Sequence, residues 1–283
     1  MGKPHSRDAA WEYPCARLAR DRARLGREGG FTLVELVMVI LLLGVMATFS
    51  SQFIGIGTQI YGDASRREQL MSDARFALER LNREVRDAVP GSVRVEDEGG
   101  GAQEQGACLR FWPIATAGRY LETASSTVLR IVEPVTMPAK EDTAIIYPLP
   151  DTTSGSTITL DKGCVQGRCT ARVTAVGSPA SGALSLTLAA AVTKDSPGQR
   201  IYFANQQVRY CVVGTTLTRA SAAIGTGALW SPPALMAEHI RPTSYFYRDP
   251  ASFNQSEVGL GIVFEQRGER VSFNHKLEVL NVP

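Results

Sequence analysis

Glu35 is the only charged residue between Phe31 and Gly62, in a run rich in Leu, Val, Ile and Met. A carboxylate inside hydrocarbon costs about 2.5–3.5 kcal/mol on insertion scales, so its presence there asks for a named partner. The fitting partner is an amine. An α-amino group created immediately before Phe31 would lie four residues from Glu35 on the same helical face. Between neighbouring helices such a pair would act at low effective dielectric and would fix the axial stagger of one helix against the next. Cysteine is the second residue type with chemistry to offer. Cys15 stands alone near the N-terminus, whereas Cys108, Cys164, Cys169 and Cys211 form an even set. An even set reads as disulfides, with three possible pairings. Cys164-Val-Gln-Gly-Arg-Cys169 can close as a small loop around Gly167, which favours Cys164 with Cys169 and Cys108 with Cys211. Zinc is the alternative, but two-residue spacing and a nearby His are both missing. His5, His239 and His275 are scattered, and no Ser/His/Asp or paired-carboxylate arrangement is legible. The chain is therefore expected to be no enzyme and to carry no cofactor or metal.

The elements that must position these groups are legible from periodicity. Phe31 to about Ile60 is long enough to span a bilayer, which needs about 20 apolar residues. Gly44, Gly55, Gly57 and Gly62 interrupt it, each weakening a helix by about 1 kcal/mol relative to Ala, which would permit local unwinding or close helix approach. Beyond Asp63 the pattern becomes amphipathic: Leu70, Ala74, Ala77, Leu81, Val85 and Ala88 recur at three- and four-residue steps, and Arg66, Arg67, Arg75, Glu79, Arg80, Arg83 and Arg86 take other faces. Pro90-Gly91 is expected to end the helix. A helix over 31–89 would be about 88 Å long at 1.5 Å per residue, more than a compact domain encloses.

After Pro90 the period changes to two. Strands are predicted over 92–95, 109–112, 127–132, 144–147, 157–160, 171–176, 183–188, 199–203, 207–213 and 216–219, closing with a hairpin of 259–266 and 269–279 turned at Arg267-Gly268. Glu96 to Gly106 reads as a solvated, mobile Gly- and Glu-rich loop rather than a calcium site. Phe111-Trp112, Tyr210 and Tyr245-Phe246-Tyr247 read as core or strand-edge packing, with an adhesive sugar pocket as the alternative. The expected fold class is α+β, a long N-terminal helix packed on an antiparallel β-sheet domain of roughly 190 residues.

Gly30-Phe31-Thr32-Leu33-Val34-Glu35 followed by an apolar stretch resembles, without gaps, the N-terminal methylation motif of the type IV prepilin and pseudopilin superfamily. The resemblance implies cleavage between Gly30 and Phe31 by a prepilin peptidase, N-methylation of Phe31 and use of Glu35 in filament assembly. It also implies the lollipop-shaped pilin fold. Its division of the chain is 1–30 a cytoplasmic leader, 31–62 a transmembrane and filament-core helix, 63–90 an amphipathic helix on the sheet, and 91–283 a β-rich periplasmic or extracellular domain. The stretch from Asp73 to Val95, Phe111 to Tyr120, Val208-Arg209-Tyr210-Cys211 followed by Leu217-Thr218-Arg219, and Asn281-Val282-Pro283 are similar to the MshO family of minor pilins in mannose-sensitive haemagglutinin (MSHA) pili. Ile240-Arg241-Pro242-Thr243-Ser244 lacks a cysteine which that family leads one to expect. In the superfamily the extreme tip subunit tends to lack the glutamate, so Glu35 implies a position below another subunit.

Charge agrees with that division. Residues 1–30 hold Lys3, Arg7, Arg17, Arg20, Arg22, Arg24 and Arg27 against Asp8, Glu12, Asp21 and Glu28, a net +3 that leaves −1 for the rest of a chain of net +2. Basicity sits on the flank expected to stay cytoplasmic, with the remainder exported across the inner membrane and then into a pilus. The exported part has no charge excess suggesting nucleic acid as a partner; the expected partners are the peptidase, other pilins and the membrane. The leader's Arg-rich composition reads as disordered, and translation from a start near Leu25 would leave Gly26 to Gly30 as a short leader. The competing readings are a J-type minor pseudopilin of a type II secretion system and a pilin-displayed adhesin. An ordinary signal anchor with a snorkelling Glu35 is a further alternative, and a secretory signal peptide fits worse because no small-residue cleavage site follows the apolar core.

Overall fold

The computed structural model describes residues 30–122, 124–149, 167–193, 195–225, 227–248 and 257–280. The chain divides into two compact units between Thr58 and Gln59. Helix α1 runs Leu33–Arg86 without a break, through all four of its glycines. It is long and apolar enough in its first part to cross a membrane, and none of that apolar window is buried.

Within the unit beginning at Gln59, the predicted stripe does bury. Leu70, Ala74, Ala77, Leu81 and Val85 are the helix residues that enter the main core, joined by Leu78. Alanine at 74 and 77 lets the helix backbone approach the sheets closely, and each fully buried leucine contributes about 1.5–3 kcal/mol. The helix stops at Arg86, earlier than Pro90-Gly91 suggests, because the next residues are already sheet-bound: Ala88 bridges Pro113 and the Val89 amide donates to the Trp112 carbonyl at 2.8 Å. A polar anchor supplements the apolar stripe. Arg219 Nε donates to both carboxylate oxygens of Glu84 at 3.1 and 2.9 Å, and Arg80 reaches the same carboxylate at 3.1 Å. Beneath it the Tyr210 phenol is pushed up by burial, reinforced by the Glu84 charge.

Two antiparallel sheets share this core. The first is ordered β1 (Arg94–Glu96), β3 (Cys108–Phe111), β10 (Gln206–Val213), β11 (Thr216–Ala223), β12 (Ala234–Ala237); the second is β15 (Glu269–Glu278), β14 (Glu257–Gln266), β13 (Tyr245–Tyr247), β2 (Gln105–Gly106). The hairpin β14–β15 turns at Arg267 and Gly268, both with positive φ (50° and 91°), as a tight two-residue turn demands. Tyr247 stands opposite Gly259 in register and its ring covers that glycine, so a Cβ built there would lie 2.1 Å from the ring Cζ. Gly259→Ala is expected to destabilise by about 1–3 kcal/mol, and Tyr247→Ala in the same chain to recover most of the loss. Urea midpoints of the four-member cycle measure it; additive losses would show that the ring and the glycine are not coupled.

Between β3 and β10 the chain makes a third, six-stranded antiparallel sheet: β4 (Thr116–Arg119), β9 (Arg200–Ala204), β6 (Thr143–Ile145), β7 (Thr170–Val176), β8 (Ala183–Leu188), β5 (Val128–Val132). Its two ends meet. Tyr120, directly after β4, bridges Ile131 of β5, and the Leu121 amide donates to the Arg130 carbonyl at 2.8 Å, so the sheet closes into a small barrel. Leu129, Ile131, Val173, Leu184, Leu186, Ile201 and Phe203 fill the interior. The Tyr120 hydroxyl donates to the Ser196 carbonyl and accepts the Ser196 amide (3.2 and 2.6 Å). Val89, Trp112, Ile145, Tyr202 and Ala204 form the seam between barrel and main core. The fold class is α+β, as the sequence predicts, but the β part has two separate cores. The strand predicted over 157–160 lies outside the described residues.

The loop read as mobile is tied down instead. Glu96 ends β1 fully buried, and the Asp97 carboxylate accepts the Gly101 amide at 2.8 Å and folds the next residues into a tight turn. Hydrogen bonds from the Gly101 amide first, then from Gln103 and neighbouring glycine amides, hold the Asp97 carboxyl below the usual carboxylate range. A depressed native value means the turn has its full contribution above about pH 4, the unfolded value, and loses it as the pH falls through the native one. Hydrogen exchange at the Gly101 amide should accelerate over that acid window and not between pH 5 and 8.

Candidate functional site

Thr32 sets the start of α1. Its carbonyl accepts the Leu36 amide at 3.2 Å and its Oγ1 accepts the Glu35 amide at 3.3 Å, the geometry of an N-cap. Thr32-x-x-Glu35 is thereby the sequence pattern of a capping box, and Glu35 stands in the first turn where the helix macrodipole favours an anion. This local role of Thr32 is legible in the Thr-x-x-Glu spacing itself.

Gly30 lies outside the helix, exposed, with nothing within 4 Å of a Cβ placed on it. Among the described residues, therefore, none would clash with a side chain at position 30. Phe31 is 75% exposed, and no residue from Gly30 to Tyr61 is buried among the described residues. Gly44, Gly55 and Gly57 likewise have open space where a Cβ would go. Each lowers helix stability by about 1 kcal/mol with no return from contacts among the described residues.

The structure brings one predicted cysteine pair together. Cys108 and Cys211 face each other across β3 and β10 and are joined, with Cα atoms 4.1 Å apart. The Val212 amide donates to the Ala107 carbonyl at 2.9 Å, so the adjoining 108–211 position is a non-hydrogen-bonded pair, where antiparallel strands approach closest. These two thiols are thus committed to each other rather than to zinc. Cys169 is also disulfide-bonded. Cys164 and Cys15 lie outside the described residues, as does the leader up to Gly29.

Side chains alternate across a strand, and the residues of β1, β3 and β10 that point away from the helix core form two rows. Glu96, Cys108 and Cys211 make one; Arg94, Arg110 and Arg209 make the other. Glu96, 0% exposed, pairs through Oε1 with Arg94 and, at 2.8 Å, with Arg110, while its Oε2 is buried without a hydrogen-bond partner among the described residues. Arg110 also donates to Gln207 at 3.3 Å, and Arg94 to the Gly100 carbonyl at 3.2 Å. Arg209 has no carboxylate partner among the described residues; its guanidinium lies over the Trp230 ring, 5.2 Å from the centroid. Burial lowers the Arg110 value, Glu96 opposes that, and Arg94 and Arg209 add to it. No sequence pattern announces this cluster, since only strand register joins it.

The predicted aromatic residues take structural places. Phe111, Tyr210 and Phe246 are in the main core, Trp112 is at the seam, and Tyr245 and Tyr247 stand opposite Gly261 and Gly259. A cleft of about 350 Å³ beside the barrel is lined by Ile114, Thr116, Met137, Asp142 and Asn205, and the Asp142 carboxylate is occupied by the Ala139 amide at 2.7 Å. Compared with family models, curated proteins and solved structures, the chain matches none.

Proposed function

We propose that this chain is a minor pilin of an MSHA-like type IV pilus, most like MshO. Its precursor would be held in the inner membrane by α1 with residues 1–30 in the cytoplasm, cut between Gly30 and Phe31 by a prepilin peptidase, and N-methylated at Phe31. It would then enter a filament with other pilins, with no catalysis of its own. One observation carries the reading: the ungapped Gly30 to Glu35 string stands at the capped start of a helix none of whose apolar residues from Leu33 to Ile60 is buried among the described residues. A bilayer first and neighbouring helices later would cover them.

Processing is tested by the mass of the membrane form. An N-methylated Phe31 terminus is expected, with Gly30→Glu left uncut; a mature terminus between residues 40 and 60 would mean signal-peptide processing instead. Glu35 has two candidate roles, and substitution separates them. Gln retains the capping-box side chain and loses the charge, whereas Ala loses both. If Glu35 pairs with the amine of another subunit, Glu35→Gln and Glu35→Ala should both be cleaved and inserted yet fail to enter pili. Normal incorporation of Glu35→Gln, with failure of Glu35→Ala alone, would reduce Glu35 to a helix cap. Loss of protein secretion with surface pili intact, in cells lacking the chain, would move the reading to a J-type minor pseudopilin.

A further inference from the structure

We infer that the face of β1, β3 and β10 turned away from the helix is a docking site for an acidic segment of a neighbouring protein subunit, with Arg209 taking its carboxylate. That the partner is a filament subunit rests on the reading above; the charge argument does not. Three guanidiniums, Arg94, Arg110 and Arg209, stand side by side in register on three adjacent strands. One carboxylate, Glu96, serves the first two, and it does so through a single oxygen. The row therefore carries two positive charges more than it neutralises. The Asp97 carboxylate of the adjoining loop takes its hydrogen bonds from the Gly101 amide and Gln103 and makes no ion pair with the row among the described residues. Partly desolvated arginines without counter-charge are unfavourable unless something supplies one.

The row is also held rigid. Cys108 and Cys211 lie two residues from Arg110 and Arg209 on the same face and bond β3 to β10 there. Arg209 also rests over the Trp230 ring, which limits the side-chain freedom left to lose when an anion arrives. Beside that pair Leu229 is 92% exposed. Arginine and tryptophan are enriched at protein interfaces, where a bidentate guanidinium selects a carboxylate and apolar neighbours, here the exposed Leu229, bury around it. The occupant that fits is an Asp or Glu flanked by apolar residues.

The test uses the full-length chain in the cells that make it, with Leu229→p-benzoylphenylalanine as a photocrosslinker and the adduct mapped by peptide mass spectrometry. The expected adduct is to one envelope protein, at a peptide holding an Asp or Glu within a few residues of the crosslink. Arg209→Glu should reduce it roughly tenfold or more, and changing the mapped acid to Arg in the partner should restore it. Arg209→Glu gives up no ion pair among the described residues and places its carboxylate beside Arg110, and an intact Cys108–Cys211 link in a non-reducing map checks its fold. An adduct indifferent to Arg209→Glu, an adduct to a peptide without acid, or no adduct would overturn the inference. So would binding of sialyllactose or polygalacturonate that Arg209→Glu abolishes, since the site would then take a sugar acid. An adduct to a protein that is no pilin would leave the site standing and overturn the filament reading.

Discussion

Replacing both Cys108 and Cys211 by alanine is expected to lower stability by about 4 kcal/mol. The bond spans 103 residues of sequence, and in the chain-entropy account a loop of about 100 residues closed in the unfolded state is worth about 4.7 kcal/mol. Denaturant midpoints should place the oxidised double variant well below the oxidised parent, with the reduced parent, which also loses the Cys169 disulfide, no higher than the double variant. Coincidence of all three would mean that the unfolded chain is as constrained without the bond as with it.

Glu96→Ala should cost a comparable amount, about 3–5 kcal/mol, since it leaves Arg94 and Arg110 partly buried and facing each other. The cost is that of stranded charge, not of lost attraction. Replacing Arg94 and Arg110 by Met in the Glu96→Leu background should therefore recover most of it. If the triple apolar variant is as unstable as Glu96→Ala, the damage lies in packing beside the disulfide and the charge account fails.

Legibility in the sequence followed the range of the interaction. Val128–Val132 and Ala183–Leu188 alternate cleanly because one face of each lines a closed interior, and both strands were readable almost to the residue. Thr116–Arg119 and Gln105–Gly106 were not, since Thr-Ala-Gly-Arg and Gln-Gly carry no alternation and pair only because β9 and β13 are already in place. The barrel's closure rests on one bridge, Tyr120 to Ile131, which no periodicity records. The helix stripe and the Cys108–Cys211 pair were legible; the arginine row was invisible, because Arg94, Arg110 and Arg209 meet only through register. The assignment of Glu96 to a mobile loop failed for a related reason. Glycine and acid in sequence look solvated until their own strand and its neighbour each supply a guanidinium.

The placement of β4 to β9 between two strands that must pair sets an order of events for the nascent chain. Phe111 cannot find Val208 cheaply while ninety-odd residues of loose polymer lie between them. Contacts inside the barrel are closer in sequence, and once Tyr120 has met Ile131 and β4 has met β9, the ends of the insertion are delivered to each other as the two sides of one neck. The slow search is then replaced by a short one. On this scheme an oxidising catalyst acts last, sealing Cys108 to Cys211 over a completed insertion, and a chain oxidised too early could trap Cys108 with the wrong sulfur before the barrel has drawn the right one near.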